Sequence, residues 1–382
     1  MKLRLISALL LSLAGTAAHA QYTEFSGTPI TAIFGLSYDG SRIVGSGDPG
    51  VSDFYKWTAA TGAVSLGSGY FGGQPSLSSD GSTILYNALN PATGVYEMSR
   101  VSWNGGTPTP MGSLGVVGSS TGQDETSSSY QISGDGQTGV GLAWINGGTG
   151  GHAMVSHNGV VTDLGSSVAD RSTRANAVNY NGTVVGGWQE ADWGGWQGAV
   201  WKNGQQTLMT TSDGNFLGEV RAMSADGNWA FGKGYDLGAY RWSEATGTQI
   251  LGSLWEGAYS SVYGASADGN VAVGASWNWD GPPTWGRAFV WTASGGMLDL
   301  TDYALSLGYS FGGDDVVLAG ASAISGDGNT IAGFTNYGDA FLLHLDLNTS
   351  AVPEPGTMVL MVLGSGLLMA SRRLRRRDRA EA

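Results

Sequence analysis

Short apolar runs separated by turn sequences fill most of the chain, and one arrangement of them recurs seven times. An apolar residue, Ser or Asn, any residue and then Asp-Gly or Asn-Gly precede a second apolar run. The polar residues at the turns are Asp39, Asp80, Asp135, Asn181, Asp226, Asp268 and Asp327. Such turns predict β-hairpins, because Asp, Asn and Gly tolerate a positive φ. We expect the Ser or Asn two positions earlier to bond to backbone amides of the turn.

Two more short strands are predicted after the hairpins. The third strand of each repeat is predicted at residues 54–57, 100–103, 153–156, 199–201, 239–242, 288–291 and 340–343. A fourth strand is predicted at residues 63–66, 160–164, 249–251 and 297–300. Signals for helices are almost absent from residues 21–350.

Four short strands repeated at this spacing predict an all-β fold, a seven-bladed β-propeller over residues 21–347. The first strands carry mostly Ala, Gly and Ser and would surround a central channel, and the five Trp residues of the third strands would pack between blades. Residues 21–28 precede the first repeat, and we expect them to add the outermost strand of the last blade and close the ring. A β-solenoid or a pair of β-sandwiches is the alternative fold.

Composition and charge exclude some classes of protein. The chain has 382 residues, of which 41% are apolar, so a core can form, and it has no Cys, so it has no disulfide framework or thiolate metal site. Between residues 21 and 350 there are 10 basic and 28 acidic residues. A body this acidic repels nucleic acid, which argues against it as a partner. We predict no cofactor and no metal ion.

The first 20 residues have the layout of a secretory signal peptide. Two basic residues precede an apolar run, and small residues lead to Ala18-His19-Ala20. Ala18 and Ala20 therefore predict a signal peptidase site, with the mature chain starting at Gln21.

The last 30 residues, 353–382, follow a linker at 348–352 and have three parts. Pro353, Glu354 and Pro355 come first, and an uncharged apolar run over 358–370 follows. The cationic end is Arg372, Arg373, Arg375, Arg376 and Arg377. The run is short for a bilayer core of about 30 Å but can span it if the bilayer thins. The arginines would stay in the cytoplasm while the body lies outside.

These three parts, in this order, resemble the PEP-CTERM sorting tail of Gram-negative bacteria. The resemblance implies that an exosortase-type peptidase of the inner membrane recognises Pro353-Glu354-Pro355 and removes the tail. It also implies delivery to the cell surface or the extracellular matrix, where exopolysaccharide and biofilm components lie. The alternative is a C-terminal transmembrane anchor that is never cut.

The repeats themselves resemble the HAF family of extracellular repeats, over essentially all of residues 30–345. The triplet that gives this family its name occurs as His152-Ala153-Met154, Arg287-Ala288-Phe289 and Asp339-Ala340-Phe341. The resemblance implies an extracellular scaffold and brings no catalytic residues with it.

The connections between strands of a propeller blade divide between two faces. One face carries the connections from the second to the third strand and those from one blade to the next; we call it the loop face. The opposite face carries the hairpin turns, and we call it the turn face. Long connections at 87–96, 118–130, 189–198, 276–286 and 302–317 all fall on the loop face. Two of them are rich in aromatic residues, which suit sugar rings.

The candidate ligand-binding residues are therefore tryptophans, namely Trp193, Trp196, Trp277, Trp279 and Trp285, with Trp188 close to them in the sequence. The alternative is that they only pack the loops onto the blades. We predict a non-enzymatic, exported module that binds an extracellular glycan or a surface protein, or has a structural role in the matrix.

Acidic residues on the loop face keep an enzyme as the alternative function, a hydrolase or lyase acting on extracellular polysaccharide. These residues are Asp124, Glu125, Glu190, Asp192, Asp314 and Asp315. Two of them could act as acid and base, or they could bind Ca²⁺, but none has a diagnostic spacing. His152, His157 and His344 match no zinc motif, and no nucleophile elbow is present.

Overall fold

The computed structural model describes residues 21–47, 53–69, 73–115, 126–145, 150–235, 238–278 and 282–345. These residues form an all-β structure, with one short helix, α1 (Leu300–Ser306), and a 3₁₀ turn at Pro283–Trp285. Within the described ranges, no helix is long and apolar enough to cross a membrane. The predicted signal peptide, linker and sorting tail, including Ala18, Ala20, Pro353, Glu354, Pro355, Arg372, Arg373, Arg375, Arg376 and Arg377, lie outside the described residues.

The strands form antiparallel sheets arranged as the blades of a β-propeller. The first four sheets are β2 (Ala32–Leu36), β3 (Ile43–Ser46), β4 (Asp53–Thr58) and β5 (Gly62–Ser68); β6 (Ser76–Leu77), β7 (Thr83–Leu89), β8 (Tyr96–Ser102) and β9 (Thr109–Pro110); β10 (Ser127–Ile132), β11 (Thr138–Ile145), β12 (Gly150–His157) and β13 (Val160–Asp163); and β14 (Thr173–Val178), β15 (Val184–Glu190), β16 (Trp196–Lys202) and β17 (Gln205–Leu208). Each runs in sequence order from the innermost to the outermost strand.

The next sheet has eight strands and consists of two sets of four. The sets are β18 (Val220–Met223), β19 (Ala230–Gly234), β20 (Gly238–Ser243) and β21 (Gly247–Gly252), and β22 (Tyr259–Ala265), β23 (Val271–Trp277), β24 (Arg287–Thr292) and β25 (Gly296–Asp299). A single residue pair, Lys233 with Ser261, links β19 to β22. Each set otherwise has the strand order of the other sheets.

The last sheet joins the two ends of the described chain. It contains β26 (Leu318–Ile324), β27 (Thr330–Thr335), β28 (Ala340–His344) and β1 (Gln21–Glu24), in that order. β1 pairs with β28 from Gln21 with His344 to Glu24 with Phe341. The prediction that the N-terminal residues supply the outermost strand of the last repeat is confirmed.

The hairpin turns are joined to one another by backbone hydrogen bonds on the turn face. The seven bonds run from N–H to C=O as Tyr38 to Ser79, Ser79 to Gly134, Asp135 to Tyr180, Tyr180 to Ala225, Ala225 to Ala267, Ala267 to Gly326 and Asp327 to Tyr38. The last bond returns to the first turn, so the turns form a closed circle. The need to form this circle explains why the same residue types recur at the hairpin turn of each repeat.

The Ser at each turn bonds as predicted. Ser37 Oγ donates to Asp39 Oδ1 at 2.6 Å and accepts from the Arg42 N–H at 3.1 Å. The same pair of bonds occurs in the other Ser-containing turns, and Asn179 and Asn181 take these positions in the fourth turn, with 2.9 Å between them. These bonds satisfy polar groups that the strand ladders leave open.

The turn glycines have a second role besides their positive φ. A Cβ on Gly182, whose φ is 76°, would lie 2.1 Å from Thr138 Oγ1 in the preceding repeat. The glycines at all seven turns, Gly40, Gly81, Gly136, Gly182, Gly227, Gly269 and Gly328, lie in this way against the preceding repeat. At five of them, all except Gly136 and Gly328, a Cβ would lie less than 3.0 Å from an atom of that repeat, so the repeats approach more closely there than another residue would allow.

The tryptophans of the third strands pack between repeats, as predicted. Trp57 lies edge-on to Phe25, which follows β1, with 5.2 Å between ring centroids. Trp103 lies 5.0 Å from the guanidinium carbon of Arg42 in the first sheet. Trp201, Trp242 and Trp291 pack in clusters that contain apolar residues of the preceding repeat.

Two expectations about local structure were wrong. The connection over 302–317 contains most of α1, which begins after Asp299 and buries Leu300, Tyr303 and Ala304 against the last two repeats. The apolar spacing of this short segment is too brief to stand out among strands. The strands next to the aromatic connections are also longer than predicted: β15 extends to Glu190, and Trp196 begins β16.

Candidate functional site

A cavity of about 430 Å³ lies at the centre of the propeller. We call it the hub cavity. Residues of the innermost strands β2, β6, β10, β14, β18, β22 and β26 line it. These strands run from the loop face to the hairpin turns, so residues near their starts lie toward the loop face. Pro283, from a loop-face connection, also lines the cavity.

A buried carboxylate organises the loop-face side of the hub cavity. The Glu219 side chain is only 5% exposed. Its Oε2 accepts hydrogen bonds from Arg174 Nη2 at 3.1 Å and Asn176 Nδ2 at 3.0 Å, and its Oε1 accepts one from Arg221 Nη2. One carboxylate therefore faces two guanidinium groups, and the cluster carries a net positive charge.

The two arginines differ in how much of their bonding capacity is used. Arg174 donates through Nε to Asn176, through Nη1 to the Tyr130 hydroxyl and through Nη2 to Glu219. Arg221 bonds to Glu219 only through Nη2, and its buried Nε has no hydrogen-bond partner. Arg221 therefore retains unused donors beside the cavity.

Lys233 adds a third cation close to this cluster. Its ammonium lies over the rings of Trp277 and Tyr259, at 5.7 and 5.9 Å. Among the described residues, no carboxylate lies within 4 Å of it. Burial and the positive charge of Arg221 lower the pKa of Lys233, and Glu219 opposes this only in part.

Aromatic rings continue from the hub cavity onto the loop face. The Arg174 guanidinium carbon lies 5.2 Å from the Trp188 ring, which stacks on Trp196 at 5.2 Å. Trp193 stacks on Phe216 at 6.1 Å and lies edge-on to Tyr235. We call Trp193, Trp196, Phe216 and Tyr235 the aromatic surface. Trp193 is 53% exposed and Trp196 48% exposed, so both can contact a ligand.

The other tryptophans singled out in the sequence behave differently. Trp188 is buried and supports Trp196. Trp277 lies at the end of β23, half-buried against Tyr259 and Lys233. Trp285 is 75% exposed in the 3₁₀ turn, and Trp279 lies outside the described residues. Of the candidate tryptophans, Trp196 lies nearest to a residue that lines the hub cavity, with its ring 5.9 Å from the Arg174 guanidinium carbon.

Several acidic candidates have structural partners. Glu190 forms an ion pair with Arg171 at 3.1 Å. Asp315 accepts a hydrogen bond from the Tyr337 hydroxyl. Asp124 and Glu125 lie outside the described residues. Among the described residues, no group of three His, Asp or Glu side chains is placed to hold a metal ion.

The three histidines of the described residues make side-chain contacts between neighbouring strands of the same blade. His157 and His344 occupy equivalent positions and each bonds through Nδ1 to a Thr of the neighbouring strand, at 2.8 and 3.0 Å. His152 lies 3.0 Å from Asp163. In the same position of a later repeat, Arg287 pairs with Asp299 at 2.8 Å. These are contacts within blades and they hold strand pairs together.

Sequence reasoning missed the charged cluster. Arg174, Glu219 and Arg221 lie in or beside innermost strands, which otherwise carry mostly small residues. The charged residues at these positions could have predicted the cluster. A long charged side chain is tolerated in an innermost strand only if it points into the channel or is paired.

Comparison with known proteins supports the fold. No protein-family model and no characterised protein sequence matches the chain significantly. The β-propeller domain of Cps50 (Swd1) from Myceliophteria thermophila is similar with a TM-score of 0.53 and 10% identity, over 85% of this chain and all of that one. This likeness concerns the fold alone.

Two further solved structures are similar at lower scores. Hydrazine synthase from Kuenenia stuttgartiensis has a TM-score of 0.47 and 14% identity, over 84% of this chain and 96% of that one. TolB from Acinetobacter baumannii has a TM-score of 0.41 and 15% identity, over 78% of this chain. The chain spans 61% of the length of that TolB.

Proposed function

We propose that this chain is an exported, non-enzymatic β-propeller that binds an extracellular glycan or a surface protein through its loop face. The observation that carries the proposal is the aromatic surface with its exposed Trp193 and Trp196, placed beside the cationic hub cavity. Exposed aromatic rings next to polar groups favour binding, because each ring offers a large apolar face at a small entropic cost.

The propeller of this proposal has seven blades, with the eight-stranded sheet counted as two. Two observations support the count. The turn face carries a closed circle of seven backbone bonds, and each turn glycine lies against the preceding repeat around the whole circle. The single Lys233–Ser261 pair is then a contact between two blades.

The test is a binding measurement on protein purified after expression of the full chain. Exopolysaccharide and surface extract are immobilised, and the Trp193→Ala/Trp196→Ala variant is compared with the unchanged protein. Tyr180→Ala is the matched control, because this aromatic residue is 49% exposed on the turn face. We expect the double variant to lose at least tenfold in affinity and the control to lose nothing. Equal binding by all three proteins would refute the proposal.

Product analysis in the same experiment addresses the alternative enzyme. Oligosaccharides released during long incubation would show a hydrolase or lyase and would overturn the non-enzymatic part of the proposal. The Glu219→Gln variant would then test whether the buried carboxylate takes part in the cleavage reaction.

The proposed destination rests on the two ends of the chain. We propose export through signal peptidase, a transient stay in the inner membrane through the C-terminal tail, and release by an exosortase-type peptidase to the cell surface or matrix. Mass spectrometry of the mature protein should find Gln21 as the first residue and no tail. The Glu354→Ala variant should keep the tail and stay in the membrane fraction. An intact tail in the unchanged protein would indicate a permanent anchor.

A further inference from the structure

We propose that the hub cavity binds the carboxylate of an acidic sugar residue, with Arg221 and Lys233 as the anion-binding groups and the aromatic surface as the platform for neighbouring sugar rings. This inference rests on the proposed function as a binding propeller and names the class of ligand. It predicts a polysaccharide that contains uronic acids.

The distribution of charge is the first argument. The chain carries a net charge of −13, yet Arg174 and Arg221 line the hub cavity with a single carboxylate, Glu219. Lys233 does not line the cavity but lies close enough to Arg221 and Glu219 for their charges to act on it. Burying cations together costs free energy unless anions compensate them. Glu219 compensates one of the three, so the cluster is a local excess of positive charge in an acidic protein.

Unused hydrogen-bond donors are the second argument. Arg221 Nε is buried without a partner, and a buried donor left unsatisfied costs about 1–3 kcal/mol. Guanidinium groups bind carboxylates through two parallel hydrogen bonds, which suits Arg221 better than a single acceptor would. Lys233, held close by on β19, supplies a second charge-assisted donor.

The fixed part of the cluster explains why the site is preformed. Arg174 is held by three hydrogen bonds and lies 4.5 Å from the Tyr130 ring. Arg174 therefore holds Glu219 in place, and Glu219 in turn holds one side of the Arg221 guanidinium. The donors of Arg221 are oriented before a ligand arrives, which reduces the entropic cost of binding.

The surroundings favour a sugar over other carboxylates. The hub cavity, at about 430 Å³, falls within the range of about 300–1,000 Å³ typical of small-ligand pockets. Gln74 and Gln131 line it and can bond to hydroxyl groups. Exposed Trp193 and Trp196 lie on the same face, where the sugars that continue the chain would stack on them.

The experiment uses protein from expression of the full chain and two matched ligands. The ligands are a galacturonic acid oligomer and the same oligomer after chemical reduction of its carboxyl groups, and affinities are measured by calorimetry. We expect the acidic oligomer to bind at least tenfold more tightly than the reduced one. Higher salt should reduce that difference, because screening weakens the attraction between the acidic oligomer and the cationic site.

Lys233→Met is the test variant, since it removes the charge, keeps most of the side-chain volume and relieves repulsion with Arg221. Lys202→Met is the control, because Lys202 pairs with Glu244 in an exposed ion pair away from the hub cavity. We expect Lys233→Met to lose at least tenfold in affinity for the acidic oligomer and nothing for the reduced one. Lys202→Met should bind both oligomers as the unchanged protein does.

Each remaining outcome has a definite meaning. Equal binding of both oligomers, without an effect of Lys233→Met, overturns the anion site but leaves the proposed glycan binding intact. Binding of polyglutamate that depends on Lys233, without binding of either oligomer, also overturns the sugar and indicates an acidic protein partner. If neither oligomer nor exopolysaccharide nor surface protein binds, both proposals fail. Should Lys233→Met unfold, Arg221→Gln replaces it as the test variant.

Discussion

The turn face and the loop face of this propeller are built from the same repeats but use their residues differently. On the turn face, six repeats place the same Ser and Asp and the fourth has Asn at both positions, and these side chains bond within their own turn. The Gly of each turn lies against the preceding repeat. On the loop face, the cationic and aromatic groups of the described residues concentrate beside β14, β18, β19 and β23. The residues that recur in the repeats make the contacts that join the blades, whereas the residues of the candidate site occur only once.

The comparison teaches which residues can be assigned a role from periodicity alone. A residue that recurs in every repeat is explained by the contact that recurs with it, as Gly182 is explained by Thr138. A residue that occurs once, such as Glu219, needs its own explanation.

The largest expected effect is on stability and comes from a residue of the loop face, Glu219. It would show that the loop face also contains residues that stabilise the fold. Glu219→Gln should lower the free energy of unfolding by about 3 kcal/mol, since it removes the charge of a carboxylate that is 5% exposed and pairs with two guanidinium groups, those of Arg174 and Arg221. Urea denaturation measures the change. Glu190→Gln is the control: its ion pair with Arg171 is about one-third exposed, and we expect a loss below about 1 kcal/mol. Similar losses for both variants would mean that the Glu219 cluster is not a buried network.

The next prediction compares the two faces by making the same substitution at two glycines that both have a positive φ. Gly182 lies on the turn face and Gly194 on the loop face, with φ values of 76° and 84°. A Cβ would meet Thr138 at Gly182 and nothing within 4 Å at Gly194. Both substitutions by Ala impose backbone strain of about 1 kcal/mol. Only Gly182→Ala adds a steric clash, and we expect a total loss of about 3 kcal/mol.

Thermal and urea unfolding of both variants measure that difference directly. The Gly182→Ala/Thr138→Ala double variant, compared with Thr138→Ala alone, provides a further check, because it removes Thr138 Oγ1, the atom nearest to the added Cβ at 2.1 Å, and should recover part of the loss. Equal losses for Gly182→Ala and Gly194→Ala would show that contact between repeats contributes nothing at the turns.

Much of the fold was predictable because the repeat exposes its physical constraints in the sequence. The seven hairpins and the seven third strands follow from turn chemistry and short apolar runs. The pairing of the N-terminal strand with β28 follows from ring closure, because the last repeat ends at its third strand and the first residues precede the first repeat. α1 was missed because seven residues carry too little helical periodicity to compete with strand signals around them.

The candidate site was predictable only in part. Trp193 and Trp196 could be selected because aromatic residues in long connections stand out, but their extension into a stacked cluster with Phe216 depends on chain segments far apart in sequence. Glu219 joins Arg174, which is 45 residues earlier, and no spacing rule announces such a pair. The PEP-CTERM and HAF resemblances stay predictions, and the sorting residues lie outside the described residues.

The smallest expected effect is a pH dependence confined to the turn face. The hydrogen bond from Ser37 lowers the pKa of Asp39, and the bond from the Ser82 backbone lowers that of Asp80; burial opposes both shifts. The folded pKa values therefore lie below the unfolded value of about 3.9. The stabilisation is complete above that value and is lost as the pH falls below it, through the folded pKa values.

The Asp39→Asn/Asp80→Asn variant should reduce this dependence, because the amide keeps the acceptor oxygen without titrating, while Asp226 and Asp268, whose pKa values are also lowered, remain. At pH 6 we expect it to be less stable by under about 0.5 kcal/mol for each residue, since water screens these largely exposed groups. At pH 3 the difference should shrink. The fourth turn offers the reverse control, because Asn181 already takes this position and Asn179 donates to it at 2.9 Å. Asn181→Asp should add sensitivity to acid, and melting curves from pH 6 to pH 3 that run parallel for all three proteins would show that the turn carboxylates contribute nothing to stability.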